Sequence, residues 1–146
     1  MSKVKSLSAA LLLAPVLAAA SLNAFAGDWK MVSSTADEQV FIDPQSLNKD
    51  TDHTIQVRVL ENFAEPADMG KGVYEHMSRV MLVGVDCQEG AVTYQQWSLQ
   101  TGALGTGATV WADSMQNGPA YFHPEGGSGY SRVLLSVCHS PVALRN

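Results

Sequence analysis

Of the chain's 146 residues, the first 26 read as a removable export leader, and the 120 that follow suffice for one domain built around one core. Those 120 hold 7 basic and 14 acidic residues, a formal charge of −7. That balance, with the basic residues scattered, argues against nucleic acid and anionic membrane surfaces, whose phosphates are gripped by clustered Lys and Arg.

The leader has a positive start at Lys3 and Lys5, an apolar run over 11–20 broken only by Pro15, and a small-x-small cleavage site at Ala24, Phe25 and Ala26. The run is shorter than the roughly 20 residues a membrane-spanning helix needs. No cysteine follows it to carry a lipid, so the mature chain is expected to begin at Gly27 with no membrane anchor. Residues 27–138 then form the domain, and 139–146 a short tail.

Period-two alternation dominates the mature chain, and it marks half-buried strands. Segments 28–33 and 39–42 read as a hairpin joined by Thr35, Ala36 and Asp37. Asp43-Pro44 is expected to stop the second strand, because Pro lacks a ladder donor and Asp43 can bond forward into a turn through Ser46. Over 53–63, Ile55, Val57 and Val59 alternate with Thr54, Gln56 and Arg58. The run 74–87 has the apolar row Met77, Met81, Val83 and Val85, while Val80 and Leu82 on the other row suggest a central strand partly covered on both faces. Gly90 leads into 91–99, and a glycine-rich turn over 101–107 leads into 108–112, giving about six antiparallel strands.

The period changes near the end. Tyr130, Val133, Leu134, Val137 and Cys138 form one helical stripe, and Ser128 is a suitable N-cap. Cys138 thus lies on the helix and Cys87 at the end of the central strand. In an exported chain these two residues suit a disulfide stapling helix to sheet, with free buried thiols as the alternative. No CxxC spacing points to redox chemistry.

In order and spacing, these features resemble the surface-adhesin protein E-like domains of bacterial exported proteins. The resemblance is carried by Trp29, by Phe41-Ile42-Asp43 followed by Ser46, and by Ser78 leading through an apolar strand to Asp86-Cys87. It continues with Tyr94, the glycines from Gly102 to Gly107, and a segment from Pro124 to Ser128 that opens a helix ending at Val137-Cys138. It implies an α+β fold: a curved antiparallel sheet of about six strands with a C-terminal helix disulfide-linked to it. The family takes its name from members that bind host matrix proteins, and haem binding is also associated with it. Tyr121 and Phe122 stand near where the family usually has a tryptophan.

No Gly-x-Ser-x-Gly, His-Glu-x-x-His or phosphate-binding glycine loop is present, so no catalytic residue is assigned and no enzyme is expected. His76, His123 and His139 with Glu125 are possible ligands for a metal or haem iron, but their spacing favours surface or supporting roles, and neither metal nor cofactor is assigned. Trp29, Trp97 and Trp111 fall on three strands and are candidates for a shared binding surface. Trp97 stands out, because polar Thr93, Gln95, Gln96 and Ser98 surround it. The sequence therefore reads as a non-enzymatic binding domain of the envelope, in the periplasm or at the outer surface. Its expected partner is a protein, with a second copy of the chain among the candidates. The alternative is a periplasmic small-ligand carrier, with haem the first ligand to consider.

Overall fold

A computed structural model describes residues 27–51, 53–70, 72–115 and 120–143, so the leader expected over 1–26 lies outside the described residues. The elements run β1 Lys30–Ser34, β2 Glu38–Lys49, β3 Thr54–Ala67, β4 His76–Asp86, β5 Ala91–Gln100, a short 3-10 turn Ala103–Gly105, β6 Thr109–Ser114, β7 Tyr121–Phe122 and α1 Gly129–Cys138. The first six strands form an antiparallel meander in chain order, and β7 pairs with β5 beyond the reach of β6. Two residues of β7 are too few to show alternation, which is why the sequence pattern missed it. No helix among the described residues is long and apolar enough to cross a membrane.

The ladder places the alternating rows in register, with Val57 opposite Val83 and Val83 opposite Tyr94. One sheet face therefore carries Val40, Ile42, Ile55, Val57, Val59, Met81, Val83, Val85 and Val92, and α1 closes this core with Val133 and Val137. The Ser128 hydroxyl caps the helix by accepting from Ser131 N–H. After the helix, the expected tail begins as a packed turn: Ser140 is buried, and Val142 and Ala143 lie against the core.

Two departures from the sequence pattern have local causes. The β2 ladder breaks at Asp43 as expected, but it resumes at Asn48 opposite Gln56, so the strand does not end at Pro44. Ser46 bridges the gap: its hydroxyl donates to Asp43 O (2.7 Å) and accepts from Arg58 N (2.8 Å), replacing the rungs that Pro44 cannot supply. The 101–107 turn is a folded cap on the second sheet face. Ser78 Oγ donates to Gly102 O (2.6 Å) and accepts from Gly105 N (2.9 Å), while Asn62 Oδ1 accepts from Leu104 N (2.7 Å). Gly107, at φ +81°, leaves no room for a Cβ, which would fall within 2.7 Å of Gly102 N. The cap covers Leu60 and Val80, so β4 is buried on both faces here.

Cys87 and Cys138 form the disulfide joining the end of β4 to the end of α1, with Cα atoms 5.5 Å apart and a sequence separation of 51. A helix of 10 residues is too short to persist alone, so it depends on this tether and on its packed face. Replacing both cysteines with serine is expected to cost about 4 kcal/mol through loop entropy in the unfolded chain. Urea unfolding followed by circular dichroism should show a much lower midpoint for the double variant and for the reduced wild type. Midpoints equal to that of the oxidised protein would remove the tether from the account.

Candidate functional site

The helix lies over β1 and β2 and reaches β4 and β5, leaving part of the same face open toward β6. Strand alternation places Met81 opposite Trp97, Arg79 opposite Leu99 and Leu99 opposite Trp111, so all five side chains project to this open part. Together with Tyr94, and with Met69 and Met115 from the flanking segments, they line a cleft of about 210 Å³. Tyr74 extends it: its ring stacks on Trp111 (centroids 6.0 Å, 26° between planes), and Trp111 in turn meets Trp97 at 5.9 Å. Met69, Tyr74 and Met115 are exposed, concentrating large apolar side chains at the mouth. Tyr74 adopts φ +57°, a left-handed conformation costing about 1–3 kcal/mol for a non-glycine residue. It is held by the stack on Trp111 and by His76, whose Nδ1 lies 2.7 Å from Tyr74 O and must carry the proton in that bond.

Beneath the cleft runs a polar floor. Glu61 is only 4% exposed, yet its two oxygens are both engaged: Tyr130 Oη donates to Oε1 (2.7 Å), and Arg79 Nη1 pairs with Oε2 (3.2 Å). The pair anchors Arg79, whose guanidinium also lies over Phe63 at 5.6 Å. Around Tyr130, the rings of Tyr94 and Phe122 sit at 5.4 and 5.8 Å, so β7 does its packing here. Burial, reinforced by the Glu61 charge, pushes the Tyr130 phenol well above its usual range. Burial likewise raises Glu38, helped by repulsion from Glu61 and opposed by Arg79. The cleft thus offers an apolar, aromatic and thioether surface with a guanidinium fixed at its base.

Residues 29–139 match the family model of surface-adhesin protein E. The chain belongs to the surface-adhesin protein E family. Two solved structures of Haemophilus influenzae protein E share its fold. One aligns with a TM-score of 0.54 at 10% identity, covering 75% of this chain and 83% of that chain. The other, from crystal form II, aligns with a TM-score of 0.52 at 9% identity, covering 73% and 91%. At these identities the likeness is one of fold. No curated protein matches the chain significantly in sequence.

Of the three tryptophans, this adhesin E domain brings together Trp97 and Trp111 but not Trp29, which lies 5.2 Å from the Arg58 guanidinium near the Asp43–Arg58 ion pair. His76 is not a surface histidine: it is 2% exposed, edge-on to Phe63, and it does not line the cleft. His123 and His139 are exposed and reach only backbone carbonyls, of Gly90 and Leu135. Among the described residues, no three His, Cys, Asp or Glu side chains gather as a metal site would require. The sequence reading missed Met69, Tyr74, Arg79, Leu99 and Met115. One signal was present, since Arg79 interrupts the apolar row between Met77 and Met81 and a charge there needs a buried partner.

Because the folded pKa of Tyr130 is raised, its contribution to stability is complete below the ordinary phenol value near 10 and is lost as pH climbs from there through the folded value. Absorbance titration at 295 nm should show a late-ionising tyrosine that coincides with alkaline unfolding. Tyr130→Phe should lack that step, and an unchanged titration curve in the variant would contradict the buried Tyr130–Glu61 bond.

Proposed function

We propose that this adhesin E family member is an exported, non-enzymatic protein-binding module of the bacterial envelope, with the Trp97–Trp111–Tyr74 cleft as its contact surface. Residues 1–26 are the cleaved leader in this reading, and 27–138 the binding domain. The observation that carries it is the coincidence of exposed Met69, Tyr74 and Met115 with two half-buried tryptophans at one site. Half-buried Trp and Tyr can present large rigid contact areas at little entropic cost, and methionine adapts to irregular partners, which is the composition of an interface anchor. Arg79, oriented by Glu61, supplies a fixed donor at the floor. The small-ligand alternative is less well supported. The cleft, at about 210 Å³, is smaller than the roughly 300–1,000 Å³ of typical ligand pockets, and no histidine among the described residues lines it.

Beads coated with the purified mature protein should adhere to cultured animal cells and their deposited matrix. Trp111→Ala and Met115→Ala together should reduce that adhesion more than tenfold while leaving circular dichroism and the unfolding midpoint nearly unchanged. Full adhesion by the folded double variant would remove the cleft from the reading. Protease digestion on intact cells, before permeabilisation, is the expected result for a surface module, whereas protection until permeabilisation would sink the adhesive role.

A further inference from the structure

We infer that the cleft takes one large apolar side chain of the partner protein together with an uncharged peptide carbonyl beside it, which accepts from Arg79. This rests on the protein-binding reading above and specifies the chemistry of the segment that enters.

The lining decides what a ligand must bring. Met69, Met81 and Met115 supply thioethers, Trp97 and Trp111 supply indoles, and among the described residues no carboxylate or amide side chain lines the cleft. An indole nitrogen donates only, a guanidinium donates only, and a thioether sulfur is a weak acceptor, so the polar capacity of the lining lies mostly on the donor side. Arg79 is the strongest of these donors. Its Nη1 pairs with Glu61 Oε2 at 3.2 Å, but Nε is buried without a partner among the described residues, and 34% of the side chain stays exposed. The pairing with Glu61 and the contact with Phe63 fix the guanidinium plane, so its remaining donors are held in place before a partner arrives.

Charge determines which acceptor fits. Glu61 already neutralises Arg79, and Glu38 lies near enough for its carboxyl to feel both of them. At the rim, Glu75 beside Tyr74 and Asp113 on β6 are exposed. A ligand carboxylate would therefore enter a site where carboxylates outnumber the guanidinium, and no net attraction would offset its desolvation. An ammonium group is donor-only, like Arg79, and has no lone pair to offer. An amide carbonyl meets the donors without adding charge, and an apolar ring beside it continues the packing of Trp97 and Trp111. At about 210 Å³ the cleft suits one side chain and its adjoining peptide unit.

The probe is N-acetylphenylalanine amide, read by tryptophan fluorescence excited where phenylalanine does not absorb. It should bind saturably, with little change between low and high salt, and should compete with bead adhesion. N-acetylphenylalanine, which ends in a carboxylate, and phenylalanine amide, which begins with an ammonium, should each bind roughly tenfold more weakly. The double variant Glu61→Gln/Arg79→Met keeps an acceptor for Tyr130 and leaves no buried charge unpaired; it too should bind the blocked amide roughly tenfold more weakly. Equal or tighter binding of either charged probe to the wild type would overturn the uncharged acceptor, whether or not the double variant folds. Undiminished binding of the blocked amide by the folded variant would overturn Arg79 as its donor. A wild type that adheres to cells, yet neither binds the blocked amide nor is inhibited by it, would overturn this inference alone, whereas a wild type that does not adhere would overturn the reading beneath it. A dimer in sedimentation that dissociates on adding the blocked amide would assign the cleft to a second copy of the chain and overturn the separate partner.

Discussion

The structure depends on one short helix fastened at both ends. At its C-terminal end the Cys87–Cys138 disulfide holds it to β4, and near its first turn Tyr130 bonds to Glu61 of β3. Ten helical residues span about 15 Å, whereas the six strands of the meander, at roughly 4.8 Å spacing, make a face about 24 Å across. The helix cannot cover that face. Where it lies, valines and isoleucines form a dry core. Where it ends, the strands present tryptophan, methionine and leucine instead, and those side chains become the cleft. The position of the candidate site is thus a consequence of helix length and of where the two fastenings lie.

Glu61 links these two regions. A carboxylate this deeply buried is costly to desolvate, and its retention requires partners on both oxygens. Tyr130 comes from the covering helix and Arg79 from the floor of the open cleft, so one side chain couples the docking of α1 to the cleft. Removing either partner would leave a buried charge half satisfied, which is a stronger perturbation than losing the pair as a whole. The raised phenol of Tyr130 and the raised carboxyl of Glu38 are the electrostatic signs of the same crowding.

Period-two rows in 53–63 and 74–87, the helical stripe and its Ser128 cap were all legible in the sequence, because each is a local pattern repeated over several residues. Both cysteines could be placed for the same reason. What escaped detection is assembled across strands. Ser46 rescues β2 by bonding to β3, a partner twelve residues away in sequence. The glycine-rich 101–107 segment becomes a cap only because Ser78 and Asn62 stand beneath it. Trp97 was singled out by its polar neighbours, but its pairing with Trp111 rather than Trp29 depends on which face each strand turns toward the helix. Tyr74 and Met69 lie in a connecting loop, where no periodicity marks a side chain as part of a surface.

His76 shows how such a residue can shape the candidate site without lining it. Read from sequence, a histidine near Met77 and Met81 invites thoughts of iron, yet its buried ring instead donates to the carbonyl of Tyr74. That bond helps hold Tyr74 in its left-handed conformation and so keeps the ring stacked on Trp111. The Nε2 atom is buried without a partner among the described residues, as is Oε1 of Gln100, which lies diagonally across from His76 on the same face because Gln100 pairs with Ser78. Unsatisfied buried atoms are tolerated where the group that carries them supports a strained, exposed element, and here His76 supports Tyr74 at the outer end of the aromatic stack. His76 is therefore a positioning residue for Tyr74, and its burial beside the cleft, rather than within it, follows from that role.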